Sequence, residues 1–119
     1  MFRMTFRHKY AAKRTVIDGL PFPSKAEAAY YDVLKLLLKN GEIKGFIRQP
    51  TFTLGCPENV YRPDFLVFNL DGGVFAVDVK GFETSKFKRD KKLWRAYGPC
   101  KLSIIKGGKC AEIIERINP

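Results

Sequence analysis

Tyr61-Arg62-Pro63-Asp64-Phe65-Leu66-Val67-Phe68 and Val74-Phe75-Ala76-Val77-Asp78-Val79-Lys80-Gly81, separated by Asn69-Leu70-Asp71-Gly72-Gly73, decide how this chain folds. Both runs are rich in β-branched and aromatic residues, and an Asp-Gly or Gly-Gly step between such runs signals a hairpin. Two adjacent antiparallel strands are therefore expected. Side chains alternate faces along a strand, so Asp78 and Lys80 share one face while Val77 and Val79 pack on the other. Charges that interrupt strand-forming runs have to be met by solvent, by an opposite charge or by a metal. With suitable register, Asp64 and Asp78 converge on a site fit for Mg²⁺, which takes carboxylate oxygens, waters and phosphate, and Lys80 stands beside it.

Working outward, the 119 residues allow one domain and leave no room for a separate recognition domain. Twenty-two Lys and Arg against 12 Asp and Glu give a formal charge of +10, which favours a polyanionic partner. Charge alone does not separate DNA, RNA and an anionic membrane. No apolar run approaches the roughly 20 residues that span a bilayer, and the N-terminus carries no signal-peptide core, so a cytoplasmic protein without a membrane partner is expected. Cys56, Cys100 and Cys110 are odd in number and lack a CxxC pairing, which points to reduced thiols rather than zinc or disulfides. His8 is the only histidine, and it lies in a basic segment, so a Ser-His-Asp or Cys-His hydrolase has little to draw on and is disfavoured.

Residues 1–15 carry Arg3, Arg7, Lys9, Lys13 and Arg14 and no acid. They read as a basic arm, either laid along phosphates or simply solvated, ahead of a single domain over 16–119. Pro21 and Pro23 precede Ser24-Lys25-Ala26-Glu27, from which Ala26, Tyr30, Val33, Leu34 and Leu37 recur at helical spacing up to Asn40-Gly41. Ser24 and Glu27 fit a capping box, in which the glutamate closes the helix start; the same glutamate, on a first turn packed against the hairpin, is also placed to face a metal. Residues 46–54 read as a strand, with Pro50 marking an edge or bulge, and 55–59 as a turn. A helix is expected from about Thr84 to Tyr97, a strand over Leu102–Ile105 and a terminal helical turn around Ala111–Arg116. The order helix, three strands, helix, strand describes an α/β fold with a central sheet flanked by helices. The second helix bears Lys86, Lys88, Arg89, Lys91, Lys92 and Arg95 against Asp90 alone. It is either a phosphate-holding face that brings a phosphodiester over Asp64 and Asp78, or a solvated face. Trp94 and Tyr97 either stack on exposed bases or pack in the core.

Glu27 on the first helix, Pro63-Asp64 and Asp78-Val79-Lys80, in that order, resemble the PD-(D/E)xK nuclease superfamily over most of the chain. The surrounding words Ile17–Ala28 and Asp78-Val79-Lys80-Gly81-Phe82 look like those of the small phage Holliday junction resolvases within it. The resemblance implies a restriction-endonuclease-like core with a mixed sheet. It also implies a homodimeric, Mg²⁺-dependent endodeoxyribonuclease, with Mn²⁺ able to substitute, that resolves four-way junctions by paired symmetric nicks. A phage origin would put it in the bacterial host cytoplasm. Glu27, Asp64 and Asp78 match the acidic, metal-holding positions and Lys80 the lysine. Asp78 departs from the longer Glu often found there and reaches less far. A nicking or repair endonuclease of the same fold, and a non-catalytic nucleic-acid-binding module, remain alternatives.

Overall fold

The computed structural model of the chain describes residues 15–80, 83–106 and 112–119. The basic residues Arg3, Arg7, Lys9, Lys13 and Arg14, together with His8 and Cys110, lie outside the described residues.

The hairpin forms as expected: β6 (Phe65–Asn69) runs antiparallel to β7 (Val74–Lys80), with Phe65 opposite Val77 and Phe68 opposite Val74. Its turn depends on Gly72, whose φ of 93° suits a residue without a Cβ, and on Asp71, whose Oδ1 accepts from the Gly73 N–H. The pair sits in the middle of a five-stranded sheet ordered β3-β6-β7-β8-β9, where β3 is Ile43–Arg48, β8 is Lys101–Lys106 and β9 is Glu112–Ile117. Only β7 and β8 are parallel, and they require a crossover. The helix α2 (Ser85–Tyr97) supplies it.

Helix α1 (Lys25–Lys39) begins where Ser24 Oγ accepts from the Glu27 N–H at 3.1 Å and ends at Asn40, with Gly41 at a φ of 74°. It buries Ala28, Tyr30, Tyr31 and Leu34 against Phe65, Val67, Val77 and Ile105. Helix α2 begins where Thr84 Oγ1 accepts from the Phe87 N–H, and buries Phe87 and Trp94 against Ala76, Leu102, Ile104 and Ile117. The two sets are alternate residues of the same strands, so the helices cover opposite faces and each face has its own core. The helix, three-strand, helix, strand order holds for the main sheet, with β9 added. Among the described residues no helix is long and apolar enough to cross a membrane.

Three local expectations are corrected. Residues 46–54 are not one strand: β3 stops at Arg48, Gln49 takes a left-handed φ of 49°, and β4 (Phe52–Thr53) pairs instead with β5 (Val60–Tyr61) in a separate ribbon. The Gln49 N–H turns to the carbonyl of Asp64 at 2.8 Å, and Pro50 has no N–H with which to continue the ladder. The terminal helical turn is a strand, β9, antiparallel to β8 with Ile113 opposite Ile105 and Ile117 opposite Leu102. Pairing the outer edge of β8 and burying Ile117 outweigh the weak local preference for helix. A hairpin of β1 (Thr15–Ile17) and β2 (Leu20–Phe22) precedes α1. Asp18 and Gly19, both left-handed, make its two-residue turn, and Asp18 Oδ2 accepts from Tyr31 Oη at 3.0 Å and Lys35 Nζ at 2.7 Å. Thr15, placed with the arm from sequence, already belongs to β1.

Candidate metal centre

Asp64 stands one residue before β6, and because Phe65 faces Val77 the register carries it to the level of Asp78 on β7. Its Oδ2 accepts from the Val79 N–H at 2.7 Å, meeting a donor of β7 at the point where the β6 ladder has ended. Asp78 is 1% exposed. One of its oxygens, Oδ2, accepts from the Tyr61 hydroxyl; the other, Oδ1, lies 3.4 Å from Lys80 Nζ, which also sits over the Phe87 ring. Val77 and Val79 pack on the opposite side, as strand alternation requires.

Glu27 reaches this place from the first turn of α1. Its backbone N–H serves the cap, while its carboxylate is buried and Oε2 has no hydrogen-bond partner. Only the serine half of the capping box is formed: Ser24 Oγ accepts from the Glu27 N–H, and no hydrogen bond from a backbone N–H to the Glu27 carboxylate closes the helix start among the described residues. Burial pushes the Glu27 carboxyl above the usual carboxylate range, with contacts to Asp64 and Gln49 opposing. Burial raises Asp64 to about 6, aided by the charge of Glu27 and opposed by Asp78 and the Val79 N–H. Burial and the neighbouring Asp64 charge raise Asp78 to about 7, against the pull of Lys80 and Tyr61. The Tyr61 hydroxyl, buried beside Asp78, is pushed far upward and stays a donor.

Three carboxylates thus lie close together in a desolvated place, with Lys80 beside Asp78 and the Arg48 charge acting on Glu27, and their raised pKa values show that these cations do not fully offset them. The donors are all oxygen, which suits Mg²⁺ or Mn²⁺ rather than zinc. Among the described residues no group of three or more His, Cys, Asp or Glu side chains forms a metal-holding cluster. Mg²⁺ retains several waters and is commonly held by one or two carboxylates plus phosphate, so Asp64 and Asp78, with Glu27 and its unmatched Oε2 behind them, fit a hydrated ion and not a closed cage.

Asp64 and Asp78 open into a cleft of about 230 Å³ lined also by Arg62, Lys80, Lys86 and Asp90. The N-terminus of α2, at Thr84, borders it. Of the cations expected on α2, Lys86 is mostly exposed and pairs with the buried Asp90 at 2.9 Å. Lys88 and Lys92 are exposed, and Arg89 Nη2 donates to Asn59 Oδ1 at 2.6 Å. Lys91 departs from the expected DNA-facing set. Its side chain is 13% exposed and its ammonium is held between Glu83 Oε1 at 2.6 Å and Glu115 Oε1 at 2.9 Å, tying α2 to β9. A helix carries residues round its axis every 3.6 positions, so a run of lysines cannot all face one way. Trp94 is a core residue, fully buried, whereas Tyr97 is exposed with its ring against Gly55. Cys56 and Cys100 are free thiols.

Sequence reasoning assigned no site role to Tyr61, Arg62, Gln49 or Asp90. Tyr61 and Arg62 lay within the decisive stretch but read as strand formers. The signal for Gln49 was its place before a proline, where backbone geometry is restricted. A left-handed non-glycine residue beside a buried carboxylate is a feature that only the backbone reveals.

A family model described as a protein of unknown function, DUF1064, matches residues 7–112. No curated protein matches the chain closely enough to be counted a relative.

Proposed function

We propose that this chain, which belongs to the DUF1064 family of proteins of unknown function, is a Mg²⁺-dependent, structure-selective endodeoxyribonuclease with a restriction-endonuclease-like core. On this reading it acts as a homodimer that resolves four-way DNA junctions by paired symmetric nicks. The observation that carries the proposal is the buried convergence of Asp64 and Asp78 with Lys80 beside them, at the floor of a cleft rimmed by arginine and lysine.

Hydrolysis of a phosphodiester needs positive charge at the phosphoryl group and a nucleophile available near neutral pH. Mg²⁺, when bound, supplies that charge and lowers the pKa of a coordinated water. Asp64 and Asp78 would hold the ion, and Glu27 would complete the set directly or through water. The Lys80 ammonium, 3.4 Å from Asp78 Oδ1, is placed to offset charge that builds on the transferring phosphoryl oxygens and to orient the attacking water. Arg62 and Lys86 at the rim would bind the flanking phosphates, which a cleft of bare carboxylates would otherwise repel. Junction selectivity follows the resemblance of Ile17–Ala28 and Asp78–Phe82 to phage resolvases, and a cleft rimmed by Arg62 and Lys86 suits recognition by backbone and shape.

The test is a labelled immobile four-way junction and a matched linear duplex, each with Mg²⁺ or with EDTA, alongside Asp78→Asn. Paired nicks in the junction, dependent on metal and lost in the variant, are expected. Equal cutting of linear duplex at matched salt would favour the nicking or repair alternative. Junction binding without cutting would favour a binding module, a reading in which Lys80 and Asp78 are simply an ion pair at a strand end.

A further inference from the structure

We infer that Tyr61 is a positioning residue for Asp78, fixing which carboxylate oxygen faces the cleft and so setting the affinity of the site for its divalent cation. The inference rests on the metal-site reading above, and it concerns a residue contributed from outside the main sheet.

Tyr61 lies on β5, in the two-stranded ribbon, is 4% exposed and donates its hydroxyl to Asp78 Oδ2. That bond divides the carboxylate: Oδ2 is occupied by the phenol, and Oδ1 is left toward Lys80, a residue of the cleft wall. The ring is itself held. Trp94 packs edge to face against it at a centroid distance of 5.8 Å, Phe52 packs against Trp94 at 5.0 Å, and Trp94 Nε1 donates to the Cys100 carbonyl at 2.6 Å. The ribbon is closed on its far side, where the Leu54 N–H donates to the Asn59 carbonyl at 2.8 Å and Asn59 Nδ2 donates back to the Leu54 carbonyl at 3.1 Å. Arg89 then clamps Asn59 to α2.

A buried aspartate has two χ angles and two equivalent oxygens, so without a fixed donor it samples several presentations to an ion. One rigid hydroxyl removes that freedom. Donors that hold a ligating carboxylate commonly contribute tenfold to a hundredfold to metal affinity.

The experiment measures Mn²⁺ binding to the full chain, by electron paramagnetic resonance or calorimetry without DNA, in the wild type, Tyr61→Phe and Trp94→Phe. Tyr61→Phe removes one oxygen and keeps the ring, and it is expected to weaken Mn²⁺ by about tenfold or more, with a loss of Tm from the unmatched Asp78 oxygen that is smaller than that of Trp94→Phe. The Mg²⁺ concentration for half-maximal cleavage should rise by the same factor, saturating Mg²⁺ should recover most of kcat, and junction binding in EDTA should not change. Trp94→Phe disturbs the core but keeps the hydroxyl, and should lower Tm more while leaving Mn²⁺ affinity nearer the wild type. Unchanged Mn²⁺ affinity in Tyr61→Phe, or affinity that merely follows Tm across both variants, overturns the inference and leaves the metal site standing. A wild-type protein that binds no Mn²⁺ removes the metal site, and the inference with it.

Discussion

Asp78 is held where its charged form is unwelcome, and the consequences can be measured without any substrate. Its folded pKa of about 7 and the value of about 6 for Asp64 both lie above the ordinary carboxylate value of 3.8. Between those limits the folded chain binds more protons than the unfolded one, so stability falls as pH rises. The stabilising share of both groups is fully present below about pH 4 and lost as pH passes through about 6 to 7. Metal-free protein should therefore lose Tm between those values beyond what its exposed charges explain, and at pH 8 Mg²⁺ should return part of it, as read by differential scanning calorimetry with and without EDTA. Asp78→Asn keeps the shape and drops the charge. At pH 8 without metal it should be more stable than the wild type by about 1–3 kcal/mol, and it should gain far less from Mg²⁺. A variant less stable at pH 8 would mean that Lys80 and Tyr61 already satisfy the charge. Glu27 separates into two tests. Ser24→Ala removes the cap acceptor and should cost about 1 kcal/mol with Mn²⁺ affinity intact, whereas Glu27→Gln leaves the cap's N–H in place and should weaken Mn²⁺.

At the scale of elements, Lys91 is a strut between α2 and β9. Its replacement by methionine keeps the stem but leaves Glu83 and Glu115 facing each other, and should cost about 1–2 kcal/mol in urea unfolding while leaving DNA affinity nearly unchanged. A large loss of DNA binding would return Lys91 to the phosphate-facing set. That contrast marks what the sequence could and could not tell. The β6–β7 hairpin and both helices were legible because their signals are local: a glycine turn, Ser24 as a cap, and period-3.6 or period-2 apolar spacing. The convergence of Asp64 and Asp78 was legible because a two-strand register follows from one turn. The strand β9 was not, since six residues with two adjacent isoleucines fit a helical turn as well as a strand, and only the unpaired edge of β8 decides between them. The ribbon β4–β5 was hidden for a related reason. It forms because the Gln49 N–H is captured by the carbonyl of Asp64, a contact across 15 positions that no window of sequence contains. Tyr61 rides on that ribbon, so its bond to Asp78 was equally out of sight.

Across the whole molecule, the charge of +10 is not spread to serve one purpose. Lys35 is engaged with Asp18, Lys91 with two glutamates and Lys80 with Asp78, so these contribute less to long-range attraction than their number suggests. Lys88 and Lys92 are exposed on α2, and Lys86 is exposed beside the cleft with only Asp90 as partner. Lys86 and Arg62 line the cleft beside the carboxylates, and Lys88 and Lys92 add exposed charge elsewhere on the same helix. The opposite face of the sheet, covered by α1, presents exposed Leu36 and Leu38 among its charges and is the poorer surface for a polyanion. If DNA is drawn by α2, affinity should fall with salt along a straight line in logarithmic coordinates, because each neutralised phosphate releases condensed counterions. Replacing Lys86, Lys88 and Lys92 together by alanine should weaken binding in EDTA and flatten that line by about 2–3 units, close to 0.9 for each lost phosphate contact. Lys91→Met should leave the slope as it is. Fluorescence anisotropy across a salt series, with a four-way junction and a linear duplex in parallel, gives both slopes at once. A triple variant with the wild-type slope would move the phosphate-binding surface off α2, and the cleft would then have to receive its substrate from the β3 side, where Arg48 and Lys44 stand.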